Sequence, residues 1–215
     1  RVMKSITMLM AGGMDTNGYT VVPVILDPHL DLEEKKNLHS LIENYQDIYK
    51  KSVNNGTSTL NHLDGFFRSE MLTIGELNNQ LNDTHQSAGT KEKFRSYINE
   101  ANLGVDNINN YLIQTLFSTK NLDNTLSVGF KGNPNIGTVV LGEMIEGADW
   151  FKAFKLHCEK DDRIFIISSI FGGTGASGYP LLEKKIRGSE NEPAVKNALM
   201  GAVTVLPYYG LKDPT

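Results

Sequence analysis

The run Arg163-Ile-Phe-Ile-Ile-Ser-Ser-Ile-Phe171 leads directly into Gly172-Gly-Thr-Gly-Ala-Ser-Gly178, and Tyr179 to Arg187 follows with helical periodicity. The first segment is apolar at six of its nine positions, including four in a row, the pattern of a strand covered on both faces. Four glycines in seven residues then give the backbone more freedom than a plain turn needs. A strand, a glycine-rich turn and a helix in that order make a device for holding phosphate. The helix N-terminus offers unpaired N–H groups and partial positive charge, and missing Cβ atoms let a ligand approach the backbone. Gly172, Gly173, Gly175 and Gly178 are expected to supply that access. Thr174 and Ser177 add hydroxyl donors, with Ala176 between them. The turn has no Lys at the Walker position, which argues against a P-loop.

Working outward, Ala202 to Pro207 reads as a further apolar strand, and Thr138 to His157 as a helix ending at Cys158. Ser127 to Gly137 is a loop punctuated by Gly, Asn and Pro. Lys91 to Phe117 carries helical spacing through Phe94, Ile98, Ala101, Ile108, Leu112 and Leu116, interrupted near Gly104. Residues 52–90 read as an irregular insertion, with a turn at Asn54-Asn55-Gly56 and one or two strands within Phe66 to Ile74. Nearer the start, Val2, Ile6, Leu9 and Met10 recur at helical spacing before a Gly12-Gly13 stop. Tyr19 to Leu26 reads as a strand with Pro23 marking an edge or bulge. Asp27-Pro28-His29 ends it, and a helix beginning at Asp31 places Leu38, Leu41, Ile42, Tyr45 and Ile48 on one face. Strands and helices alternate through short turns, so the expected fold is α/β, a mostly parallel sheet flanked by helices, in a single domain over residues 1–215. The chain starts within a helix and stops just after a strand, as an excerpt of a larger domain would.

Composition narrows the function. The 215 residues are 40% hydrophobic and 21% charged, enough to bury a sizeable core and too charged for a membrane protein. Ile6 to Ala11 is far too short to span a bilayer. A balance of 21 Lys and Arg against 25 Asp and Glu leaves a net charge of −4, with no cationic excess for a nucleic-acid backbone. Cys158 is the only cysteine, so no internal disulfide forms and a reducing, cytoplasmic setting is expected. The sequons at Asn55 and Asn82 then carry little weight. The five histidines lack metal-ligand spacing. His157 and Cys158 are adjacent on a helix and diverge, Ser168-Ser169 lacks a nucleophile elbow, and Trp150, Phe151 and Phe154 read as core.

Two resemblances bear on the glycine turn. The spacing Gly172-x-x-Gly175-x-x-Gly178 is similar to the nucleotide loop of short-chain dehydrogenases and epimerases, which implies NAD(P). That loop normally opens its domain, whereas here little chain follows it. The wording Gly172-Gly-Thr-Gly-Ala-Ser-Gly178 resembles the phosphate loop of the tubulin/FtsZ GTPases. Lys131-Gly-Asn-Pro-Asn-Ile-Gly137 is similar to that family's Gly-Ala-Asn-Pro loop, and Val21 to Leu26 with Asp27-Pro28 to its second strand and loop. Val203-Thr-Val-Leu-Pro207 is similar to the strand whose end lies by the ribose. The wording is closest to a divergent group of bacterial tubulin-like proteins, and residues 52–120 have no counterpart in tubulin or FtsZ.

The second resemblance implies a Rossmann-like domain that binds GTP or GDP with Mg²⁺, a possible GTPase that assembles into filaments. An alternative is a nucleotide-gated interaction or regulatory module that does not polymerise. The site residues implied are the 172–178 turn around the α- and β-phosphates, and Gly132, Asn133 and Pro134 at the γ-phosphate. Pro207 would lie by the ribose, and Asp27 by the sugar, the base edge or a hydrated Mg²⁺. For Asp27 an ordinary turn carboxylate before Pro28 is an equal alternative. The family's first glycine loop would precede Arg1 and its acidic catalytic loop would follow Thr215, so no residue here is assigned a catalytic role.

Overall fold

A computed structural model describes residues 1–29, 33–54, 65–78, 85–86, 90–104 and 106–206. The chain divides into two compact units, one of Arg1–Leu26 with Asp31–Gln86 and one of Asp27–Leu30 with Ser87–Thr215.

In the first unit, α1 (Val2–Ala11) buries Thr7 and Met10 and stops at the double glycine, with Gly13 at φ +93. Of the strand expected over Tyr19–Leu26, only β1 (Ile25–Leu26) forms, with Val21 making an isolated parallel bridge to Met71. Pro23, which is buried and has no N–H, separates the two pieces. Along α2 (Glu33–Asn54), Leu38, Ile42 and Tyr45 enter a core with Met10 and Met71. Leu41 is half-buried and Ile48 exposed, so the buried stripe is narrower than the spacing predicts.

Phe66 to Ile74 does not form the strands expected of it. The chain turns at Phe67, φ +52, and then enters α3 (Ile74–Asn78). Thr73 and Glu76 form a reciprocal capping box: the Thr73 N–H donates to the Glu76 carboxylate at 2.7 Å, and the Glu76 N–H donates to the Thr73 hydroxyl at 3.1 Å. Gln46 Nε2, buried on α2, donates to the Met71 carbonyl at 3.0 Å and to Glu76 at 2.7 Å, tying the two helices together. β2 (His85–Gln86) pairs parallel with β1.

In the second unit, the stretch expected as one interrupted helix is α4 (Phe94–Tyr97), a 3₁₀ turn at Glu100–Asn102 and α5 (Ile108–Leu116). Asn99 at φ +55 makes the first break. No residue of α5 is buried; Ile108, Tyr111, Leu112 and Leu116 face solvent. The short α6 (Thr119–Leu122) follows. The helix expected from Thr138 to His157 is instead α7 (Pro134–Gly147) and α8 (Asp149–His157). It starts early because Pro134 occupies the first helical position, where its missing N–H costs nothing, and it breaks at Ala148, ψ 133. Trp150 and Phe151 are buried, and Phe154 stacks on Phe151 at 5.9 Å between ring centroids.

Next come β3 (Arg163–Ser169), α9 (Gly173–Arg187), α10 (Pro193–Asn197) and β4 (Leu199–Val205). β3 and β4 pair in parallel from Arg163↔Leu199 to Ser169↔Val205, so the strands expected over 163–171 and from Ala202 to Pro207 form as parallel neighbours, the second starting three residues early. The fold is mixed helix and strand, with a two-stranded parallel sheet flanked by helices; the broader parallel sheet expected is represented, among the described residues, by two such pairs. Phe165, Ile167, Leu199, Val203 and Val205 share one face of β3–β4 and are all exposed, Phe165 by 61%. The Phe165 ring lies over Gly201, where a Cβ would sit 2.7 Å from it. Arg187 donates to the carbonyls of Lys196 and Ala198 at 2.7 and 3.0 Å, closing the end of α10. No helix of the described residues is long and apolar enough to cross a membrane.

Candidate functional site

α9 begins at Gly173, inside the segment expected to be a turn. Only Gly172 stays outside, as an extended N-cap at φ −94 and ψ 160. A glycine N-cap has no side chain to accept the first amides. The Ala176 N–H reaches the Gly172 carbonyl at 3.1 Å, whereas among the described residues the amides of Gly173, Thr174 and Gly175 find no acceptor.

α7 repeats this arrangement. Its N-cap, Asn133, makes no capping bond. Its side chain is used to shape the preceding bend instead: Nδ2 donates to the carbonyls of Phe130 and Lys131 at 3.1 and 3.2 Å, and Oδ1 accepts from Asn121 Nδ2 at 2.7 Å. The Asn133 amide donates to the Phe130 carbonyl at 2.9 Å. Pro134 has no N–H, so Asn135 and Ile136 hold the unpaired amides of this helix.

The two bends, about forty residues apart in sequence, meet in space. A Cβ on Gly173 would lie 3.1 Å from the Asn133 nitrogen and 2.9 Å from Phe130 Cβ. Gly137 packs on Ser177, Gly178 on Leu141, and Glu146 pairs with Lys185 at 2.8 Å. These pairings advance together along both helices, so α7 and α9 run parallel with their N-termini at the same end. Two half-charges of like sign about 9 Å apart repel by about 0.5 kcal/mol at an effective dielectric of 20. Close packing of Gly137, Gly173, Ser177 and Gly178 outweighs that cost, and an anion at the shared end would relieve it.

Sequence reasoning gave all four turn glycines one purpose, ligand access; the structure divides them. A Cβ on Gly175 would collide with the Ser169 backbone, 2.7 Å from its nitrogen, so this glycine lets α9 start against the end of β3. Gly173 makes room for Phe130 and Asn133, and Gly178 contacts Leu141. Gly172 has nothing within 4 Å of its Cβ position, and neither does Gly132, at φ +76 in the other bend. These two form the open sides of the site. The hydroxyl expected from Ser177 is buried and donates to the Gly173 carbonyl at 2.6 Å, so the α9 end offers amides and the half-buried Thr174. Likewise Asn133, expected to reach a phosphate, has its side chain and amide already bonded. Ala176 lies half-buried in the first turn of α9, and Pro134 is the exposed first residue of α7.

Asp27 belongs to the same unit. Its carboxylate accepts the His29 N–H at 2.9 Å, the turn role set beside the ligand role. Pro28 is buried 3.5 Å from the Cβ position of Gly129, and His29 bridges Val128, so this segment is stitched to the loop that enters α7. Pro207 lies outside the described residues. Asn121, which orients Asn133, escaped sequence reasoning; only the tertiary bond identifies it. Cys158 is half-buried at the end of α8, and burial, then the Asp162 charge, pushes its thiol pKa up, away from an activated thiolate.

For Mg²⁺, no group of three or more His, Cys, Asp or Glu among the described residues could hold a metal. For a polyphosphate the fit is better, since two helix ends and two open glycines meet at one place. No protein-family model, curated protein or solved structure matches this chain.

Proposed function

We propose that the chain is a guanine-nucleotide-binding domain of tubulin/FtsZ type, holding the phosphates of GTP or GDP at the paired N-termini of α7 and α9. The observation that carries the reading is the convergence of the 130–133 and 172–175 bends on one end of two parallel helices. Each N-terminus favours a nearby anion by about 0.3–1 kcal/mol at an exposed site, and two at one place favour it more. The amides of Gly173, Thr174 and Gly175 and the Thr174 hydroxyl would hold the α- and β-phosphates. Gly132 would leave room beside the terminal one. The donors are fixed in place before a ligand arrives, so binding needs little reorganisation. Mg²⁺ in this reading is carried by the phosphates. Guanine selectivity, hydrolysis and filament assembly follow from the resemblance of Gly172–Gly178 and Lys131–Gly137.

Gly172→Asp tests the phosphate reading. Aspartate is a good N-cap, φ −94 suits any residue, and the position is open, so the melting temperature of the full-length protein should hold or rise. Its carboxylate occupies the anion's place, and the Kd for GTP should increase at least tenfold by calorimetry. Wild-type GTP affinity in this variant would refute the site. Heat protection of the wild type by NAD(P) and none by GTP would favour the dehydrogenase-like reading. GTP-dependent pelleting separates a filament former from a gated interaction module.

A further inference from the structure

The bend before α7 contains one feature that the phosphate reading leaves unused. With Asn133 fully bonded, the Gly132 amide and the Lys131 ammonium are the donors it can still turn to a ligand. Lys131 is exposed and sits at φ +47, in the left-handed region. Its Nζ donates only to the Thr125 hydroxyl, at 3.3 Å, and pairs with no carboxylate among the described residues. Two residues of chain span at most about 7 Å, so the Lys131 backbone lies within a lysine side chain's reach of Asn133, which touches the α9 turn.

We propose that Lys131 makes the site prefer a triphosphate to a diphosphate. This rests on the reading that the two helix ends hold a polyphosphate. Amides and half-charges suit the first two phosphates, whereas a third adds about one further full negative charge and calls for a full cation. The ammonium is a compact, flexible point charge of that kind. Exchanging a neutral hydroxyl for a phosphate oxygen gives it a hydrogen bond in which both partners are charged, in place of one in which only the donor is.

The test uses the full-length protein as wild type, Lys131→Gly and Lys131→Arg. Glycine removes the charge and relieves the positive φ, so the fold is kept; thermal unfolding checks this. Affinities are measured for GTP and GDP, and separately for inorganic tripolyphosphate and pyrophosphate, which carry no base. Lys131→Gly should weaken GTP and tripolyphosphate at least tenfold while GDP and pyrophosphate change less than twofold. Lys131→Arg should stay within threefold of wild type for all four. Equal losses for two and three phosphates, or no loss at all, would overturn the role of Lys131 and leave the site standing. If the wild type binds neither inorganic phosphate chain nor nucleotide, the site itself falls, and this inference with it.

Discussion

At the residue scale, the glycines of the 172–178 segment differ in what their missing side chains permit. Gly175 touches the Ser169 backbone, which cannot move aside without shifting β3, whereas Gly172 faces open space. Gly175→Ala should therefore cost about 2–3 kcal/mol or more through overpacking, and Gly172→Ser within about 0.5 kcal/mol of wild type. Urea unfolding of the two variants measures this directly, and equal costs would contradict the assignment. The run of glycines was legible in the sequence as a special backbone; its division of labour was not. What a Cβ would meet is decided by Phe130, Asn133 and Ser169, and no local pattern brings those residues to the turn.

At the scale of elements, legibility followed the strength of local chemistry. The double glycine after Ala11 and the apolar runs at 163–171 and 202–207 are local signals that tertiary structure kept, the runs as strands over 163–169 and 199–205. The long helices were misjudged where a single residue overrode periodicity: Asn99 in a left-handed conformation, and the extended Ala148. Two start signals were present and went unread, Pro134 at the head of α7 and Thr73-x-x-Glu76 at the head of α3. The second makes a pH prediction. Burial raises the Glu76 pKa, but the Thr73 N–H, Lys50 and Gln46 outweigh it and hold the carboxyl below its ordinary value. A carboxylate with a depressed folded pKa contributes stability above its unfolded pKa and loses it as pH falls through the folded value. The stability gap between wild type and Glu76→Gln should therefore be constant at neutral pH and close below about pH 4.3. Urea midpoints taken from pH 7 to pH 3 give the answer; a gap that widens on acidification would contradict the bonding described.

At the scale of the whole molecule, the second unit carries an apolar surface as well as the polar site. Parallel strands are normally covered on both faces, yet one face of β3–β4 presents Phe165, Ile167, Leu199, Val203 and Val205 to solvent. Neither this exposure nor the division into two units could be read from composition, because hydrophobic content counts residues and not what covers them. Ligand linkage supplies the test at this scale. A nucleotide at a hundred times its Kd should stabilise the folded state by about 2.7 kcal/mol. Hydrogen exchange should slow in the first turns of α7 and α9 on adding GTP and stay unchanged in α2. Protection spread evenly over both units would argue against a site confined to the second.

Phe130 lies between Gly137 on α7 and Gly173 on α9, so close that neither could carry a methyl group. It acts as a shim: its ring meets α7 and its Cβ meets α9, so a thinner or thicker ring there would shift α7 and retune which anions fit without altering a single donor.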